Sequence, residues 1–191
     1  MRDGALRYLL AMLDHDLTRR DGAPVTAVLL HPHPAMGGNR FHPIVDALYH
    51  GLEISTLRFD LTSSAVDVAQ GELHDAMRLA PDDRVVLMGY SFGADIALTS
   101  DDAEVLGWFA VAPPLRIVEP TRMAAAHDPR PKRLVIPELD QYSSPARATE
   151  VTTGWLATSV AVVPGADHFL VGHAAPVLEE ARQWLAALGV S

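Results

Sequence analysis

The 191-residue sequence predicts an α/β fold, with one mostly parallel central sheet and helices on both of its faces. Three observations point there. Short runs rich in Val, Ile and Leu recur along the chain, each about the length of a strand. Most are apolar on both faces, as strands covered by helices on two sides must be. Segments with apolar residues at three- and four-residue intervals lie between them. Residue types that do chemistry cluster just after the strand-like runs, where a parallel sheet gathers its binding loops on one edge.

Taken in order, Leu6 to Leu17 fits both a helix and an edge hairpin. Val25 to Leu30 is the first apolar run, followed by a helical stripe of Ile44, Val45, Leu48 and Leu52. Ile54 to Phe59 is the second run. Val66, Leu73, Met77 and Leu79 mark the next helix more loosely, and Gly71 weakens its middle. Arg84 to Gly89 leads directly into a helix from Phe92 to Thr99. Val105 to Val111, Leu134 to Pro137 and Ser159 to Val163 complete the strands. Ala146 to Leu156 and Val177 to Leu188 complete the helices, the last with Pro176 in its first turn. Trp108, Trp155 and Trp184 read as core or helix-packing residues. Strand and helix alternate throughout, so residues 1–191 are expected to form a single domain, a length too short for two comfortable ones.

Composition narrows the function classes. With 49% apolar and 20% charged residues, the chain has the mixture of a soluble globular protein. A formal charge of −9 argues against nucleic acid and against an anionic membrane, because both reward clustered Lys and Arg. Cysteine is absent, which rules out a disulfide framework and a thiolate metal site. No apolar run has the length to span a bilayer. Arg7 interrupts the N-terminal apolar stretch, and His15 with its flanking Asp14 and Asp16 stands where a cleavage site would fall. The N-terminus therefore reads as mature, and a cytoplasmic location is expected.

The chemistry-bearing residues follow the strands. After the third run comes Gly89-Tyr90-Ser91-Phe92-Gly93, a G-x-S-x-G pattern between a strand and a helix. Such a turn is too tight for bulky neighbours, and the glycines leave the serine hydroxyl raised at the start of the helix. A serine hydroxyl needs a base to become a good nucleophile. Gly165-Ala166-Asp167-His168-Phe169 follows the last strand, delivering His168 to the same edge. A carboxylate is then needed to fix the imidazole. Asp140 lies in the loop after the penultimate strand, with Glu138 as its competitor; Asp167 adjoins His168 and points elsewhere. After the first strand runs His31-Pro32-His33-Pro34-Ala35-Met36-Gly37-Gly38-Asn39. Pro32 and Pro34 carry no N–H, so His33 is the favoured oxyanion donor from this loop, with Ala35 or Met36 as alternatives and Phe92 as the second donor. Met36 and Tyr90 either line the acyl pocket or pack beneath it. His31, His33 and His42 raise the idea of a metal site, but no carboxylate stands at ligand spacing, and His31 reads as a packing residue at a strand end. No metal is expected.

With Ser91, Asp140 and His168 in these places, the sequence resembles the α/β-hydrolase superfamily over nearly its full length. More narrowly, His31-Pro32-His33-Pro34 with Gly37-Gly38, then Gly-Tyr-Ser-Phe-Gly-Ala, then Gly-Ala-Asp-His-Phe is similar to small bacterial dienelactone-hydrolase-like hydrolases. The resemblance implies the α/β-hydrolase fold, no cofactor, and hydrolysis of an ester or related acyl bond through an acyl-enzyme. Two departures stand out. Leu57 to Ser64 replaces a Gly-rich loop, and Pro137 stands where a Gly usually precedes the acid's loop.

The leading expectation is a serine hydrolase acting on a small-molecule acyl substrate, with nucleic acid and membrane excluded as partners. The stretch between Val111 and Leu134 leaves little room for a lid, so the site should be shallow and open. A non-catalytic binding protein of the same fold and an acyltransferase are the alternatives.

Overall fold

A computed structural model describes residues 13–22 and 24–190. Seven strands form one sheet in the order β1-β3-β2-β4-β5-β6-β7. They are β1 (His15–Thr18), β2 (Thr26–Leu30), β3 (Ser55–Phe59), β4 (Val85–Tyr90), β5 (Val105–Val111), β6 (Lys132–Pro137) and β7 (Thr158–Val163). Strand β1 runs antiparallel to β3 at one edge, and every other pairing is parallel. The helices are α1 (Pro43–Gly51), α2 (Val66–Leu79), α3 (Phe92–Ala97), α4 (Pro145–Val151) and α5 (Ala174–Leu188).

The double apolar character of the strands has a direct counterpart in packing. Along β4, Val85 and Leu87 face one core while Val86, Met88 and Tyr90 face the other. The first core is closed by α2, α3 and Ala148 of α4, the second by α1 and α5. The period of two along a strand thus serves two helical layers at once. Because β2 sits between β3 and β4, the chain steps outward in opposite directions from it. The crevice at the carboxyl ends of β2 and β4 is the switch point where such sheets bind ligands.

The segment between β5 and β6 does not rise as a lid. It lies down in two 3₁₀ turns, with Val118, Met123 and Ala125 buried in the first core and the Ala125 N–H donating to Leu98 O. Several bounds differ from expectation. Helix α4 ends at Val151, where Thr152 and Thr153 turn their hydroxyls back on Ala148 O and Thr149 O and Gly154 takes a left-handed φ of 87°. Trp155 consequently lies in that turn, half-buried but packed against the first core, whereas Trp108 and Trp184 are core residues. Of the stretch Leu6 to Leu17, residues 15–17 belong to the edge strand β1. Residues 6–12 lie outside the described residues, as does the N-terminal stretch read above as mature. No helix among the described residues is long and apolar enough to cross a membrane.

Candidate active site

Ser91 lies between β4 and α3 with φ 53° and ψ −117°. A non-glycine residue in that region costs about 1–3 kcal/mol and persists only where its surroundings leave no alternative. Here the neighbours are two glycines that must be glycines. A Cβ on Gly89 would fall 2.2 Å from Gly93 O, and one on Gly93 would fall 2.6 Å from His31 O. The Ser91 N–H donates to Val111 O, and the N–H groups of Ala94 and Asp95 donate to Ser91 O. The turn is fastened on both sides, and it places the Ser91 hydroxyl at the carboxyl edge of the sheet.

His168 arrives at the same edge from the loop after β7, and Asp140 from the loop after β6. Ser91 Oγ lies 2.9 Å from His168 Nε2, and His168 Nδ1 lies 2.8 Å from Asp140 Oδ2. An ionised carboxylate only accepts, so Nδ1 carries the proton and Nε2 is left to accept from the serine hydroxyl. The other oxygen of Asp140 accepts from the N–H groups of Tyr142 (2.7 Å) and Ser143 (3.0 Å). The His168 peptide is held from two directions. Its carbonyl accepts from the Tyr90 hydroxyl (2.8 Å), and its N–H donates to Gln141 Oε1. Burial holds the Tyr90 phenol protonated well above its ordinary range. All three members of the chain Ser91–His168–Asp140 are buried.

The rival carboxylates are occupied elsewhere. Glu138 Oε2 accepts from Gly165 N–H, and Asp167 accepts from Phe169 N–H two residues on. The histidines after β2 are engaged separately. His31 is fully buried; its Nε2 accepts from Leu61 N–H (2.8 Å), so Nδ1 donates to Pro32 O (2.6 Å) and burial lowers its pKa. His33 sets its ring edge-on to Phe92, and His42 accepts from Ile44 N–H at the start of α1. Among the described residues no cluster of three or more His, Asp or Glu is placed to hold a metal ion.

The loop that replaces the Gly-rich one works as an anchor. Asp60 accepts from the Arg40 N–H at 2.8 Å and pairs with the Arg40 guanidinium, while Leu61 holds His31. Both ends of the His31–His42 loop are thereby tied to the end of β3. Gly37, at φ 86°, lets the short turn Pro34–Met36 close, and the His33 carbonyl accepts from Met36 and Gly38 N–H groups.

A cleft of about 230 Å³ opens above Ser91. His33, Met36 and Tyr90 line it, as do His42, weighed above only as a metal ligand, and four residues to which sequence reasoning assigned no site role: Arg116, Ile117, Tyr142 and Phe169. Met36 and Phe169 are exposed at its rim. The Tyr142 ring lies 4.4 Å from that of His168, and the Arg116 guanidinium lies 5.1 Å from the centre of the Tyr142 ring. Tyr142 and Phe169 were findable, since each lies within two residues of Asp140 or His168. Arg116 and Ile117 carried no local signal.

No family model matches the sequence, and no curated protein matches it. Solved structures do. An α/β serine hydrolase homologue from Coxiella burnetii superposes with a TM-score of 0.79 at 24% identity, over 91% of each chain. An α/β serine hydrolase without a lid from Xanthomonas campestris gives 0.74 at 21% identity, over 90% of this chain and 89% of the other. A dienelactone hydrolase from Anabaena variabilis gives 0.73 at 20% identity, over 92% and 91%. The chain has the α/β-hydrolase fold, with no lid among the described residues between β5 and β6 and a hydrogen-bonded Ser-His-Asp set at the carboxyl edge of the sheet.

Proposed function

We propose that this protein is a serine hydrolase that cleaves a small ester or related acyl bond through an acyl-enzyme. The observation that carries the reading is the continuous hydrogen-bonded chain from Ser91 Oγ through His168 to Asp140, at 2.9 and 2.8 Å. Ser91 Oγ attacks the carbonyl carbon as His168 Nε2 takes its proton, and the nucleophile elbow of Gly89 to Gly93 holds the hydroxyl ready. The imidazolium so formed is stabilised by Asp140. It returns the proton to the leaving alcohol, and a water activated by the same Nε2 then hydrolyses the acyl-enzyme.

The tetrahedral oxyanion needs donors that are not otherwise engaged. The N–H groups of His33, Ala35 and Phe92 donate to no other group among the described residues, whereas that of Met36 is taken by His33 O. This supports Phe92 with His33 as the oxyanion pair, Ala35 remaining the alternative from the loop. The cleft, at about 230 Å³, is below the roughly 300–1,000 Å³ of drug-sized sites, which favours a small acyl or alcohol group. Its open rim supports water as the acceptor. The substrate is thus a small molecule, and neither nucleic acid nor a membrane is needed as a partner.

A fluorophosphonate probe tests the reading. Folded protein is expected to label, while heat-denatured protein and Ser91→Ala do not, and Ser91→Ala should lose about 10³- to 10⁶-fold in ester turnover. Folded protein that fails to label, or a Ser91→Ala variant that keeps its turnover, would overturn it.

A further inference from the structure

Asp95 lies in α3, four residues after Ser91, and is fully buried. Its carboxylate makes hydrogen bonds to one segment of backbone. Oδ1 accepts from Leu115 N–H at 3.0 Å, and Oδ2 accepts from Arg116 N–H at 3.2 Å and Ile117 N–H at 3.0 Å. Burial pushes the carboxyl up to about 6, against the pull of these N–H groups. A buried acid in that position needs a reason beyond filling space, since an apolar residue would avoid the desolvation cost.

The segment it holds is strained. Ala112 and Leu115 both have left-handed backbones, at φ 45° and 53°. Two such non-glycine residues within four positions are held only by fixed surroundings. Leu115 turns inward to the core, while Arg116 and Ile117 are exposed and, with Pro114, line the cleft above Ser91. The same short helix therefore presents Ser91 at its start and grips one wall of the cleft from its middle.

We propose that Asp95 is a positioning residue for substrate selection: by holding the N–H groups of Leu115, Arg116 and Ile117 it fixes the cleft wall that decides which acyl or alcohol groups fit beside Ser91. The proposal rests on the serine-hydrolase reading. Asparagine cannot replace the carboxylate, because its NH₂ would face an N–H donor with no acceptor between them.

The test compares wild type with Asp95→Asn. Reactive sites are first counted with the fluorophosphonate probe, and kcat and KM per labelled site are then measured for a p-nitrophenyl acetate and a p-nitrophenyl hexanoate. For the hexanoate, KM should rise at least about tenfold with kcat changed less than about threefold; for the acetate, both should change little. An unchanged KM on the hexanoate, an equal change on both esters, or a loss confined to kcat overturns the proposal. If neither protein labels, it is the hydrolase reading that fails. Should Asp95→Asn not fold, amide hydrogen exchange in the wild type decides. Protection of residues 115–117 by about 10²-fold or more supports the grip, and exchange at unstructured-peptide rates overturns it.

Discussion

Asp140 is occupied on both oxygens, by His168 on one side and by the N–H groups of Tyr142 and Ser143 on the other. Asp140→Asn must therefore turn an NH₂ toward one of them. If it faces the two backbone donors, those N–H groups are left unsatisfied. If it faces His168, the imidazole is forced into the tautomer whose Nε2 carries a proton and cannot accept one from Ser91. On the triad reading the second outcome costs about 10⁴-fold in kcat while the protein stays folded. Ester turnover, with the melting temperature as a check on folding, measures it, and an undiminished kcat would remove Asp140 from the mechanism. Ser91, Asp140 and His168 were legible in the sequence for one shared reason: each stands a few residues beyond an apolar run. Arg58 and Asp95 were not, because their partners are remote. Arg58 is buried inside β3, paired to Asp16 and Asp46 and stacked 4.1 Å from the Tyr49 ring centre. Nothing within five residues of it announces that network.

Helix α3 meets β2 more closely than any side chain allows, and that contact fixes where the serine turn stands. A methyl on Gly93 would lie 2.6 Å from His31 O and 2.7 Å from Leu30 Cβ. The first is a backbone atom of a strand end pinned by Leu61, so it has little room to give. Gly93→Ala is expected to destabilise by about 1–3 kcal/mol, as overpacking of a fixed contact does. It should also slow fluorophosphonate labelling, since the helix that is pushed away carries Ser91. Urea denaturation and labelling rate, measured on the same sample, check both, and an unshifted midpoint with a normal rate would show the contact to be slack. At this scale, pattern showed which elements exist far better than where they end. The ends of α3 and α4 depend on hydroxyls folding back: Thr99 Oγ1 on Ile96 O, and Thr152 Oγ1 on Ala148 O. Thr is a poor helix terminator by propensity alone, so such endings are settled by tertiary context.

The two edges of the sheet differ in what they carry: the Ser-His-Asp set stands at the carboxyl ends of the strands, and a buried lysine at the other. Lys132 opens β6, about 17 Å of strand rise from Pro137 and further still from Asp140. It is 1% exposed, donates to Asp128 O and Arg130 O, and lies 5.3 Å from the centre of the Trp108 ring. Burial pushes its pKa down to about 8 from the usual 10.5. Between those values the unfolded chain binds more protons than the folded one, so stability rises with pH across that window. Below about pH 8 the folded protein carries a buried ammonium at a cost on the order of 3 kcal/mol. Lys132→Met has no such group. Its stability relative to wild type should therefore fall by about that amount between pH 7.5 and 10.5, as the wild type sheds its penalty. Other titrating groups are common to both proteins and cancel in the difference. Urea midpoints across the range test this, and a difference independent of pH would mean that Lys132 titrates normally. Because the residue stands at the edge remote from Ser91, kcat/KM of the folded variant at pH 7.5 should stay within about twofold of wild type. A larger loss would mean that the two edges are coupled through β6, which also leads into the loop of Asp140.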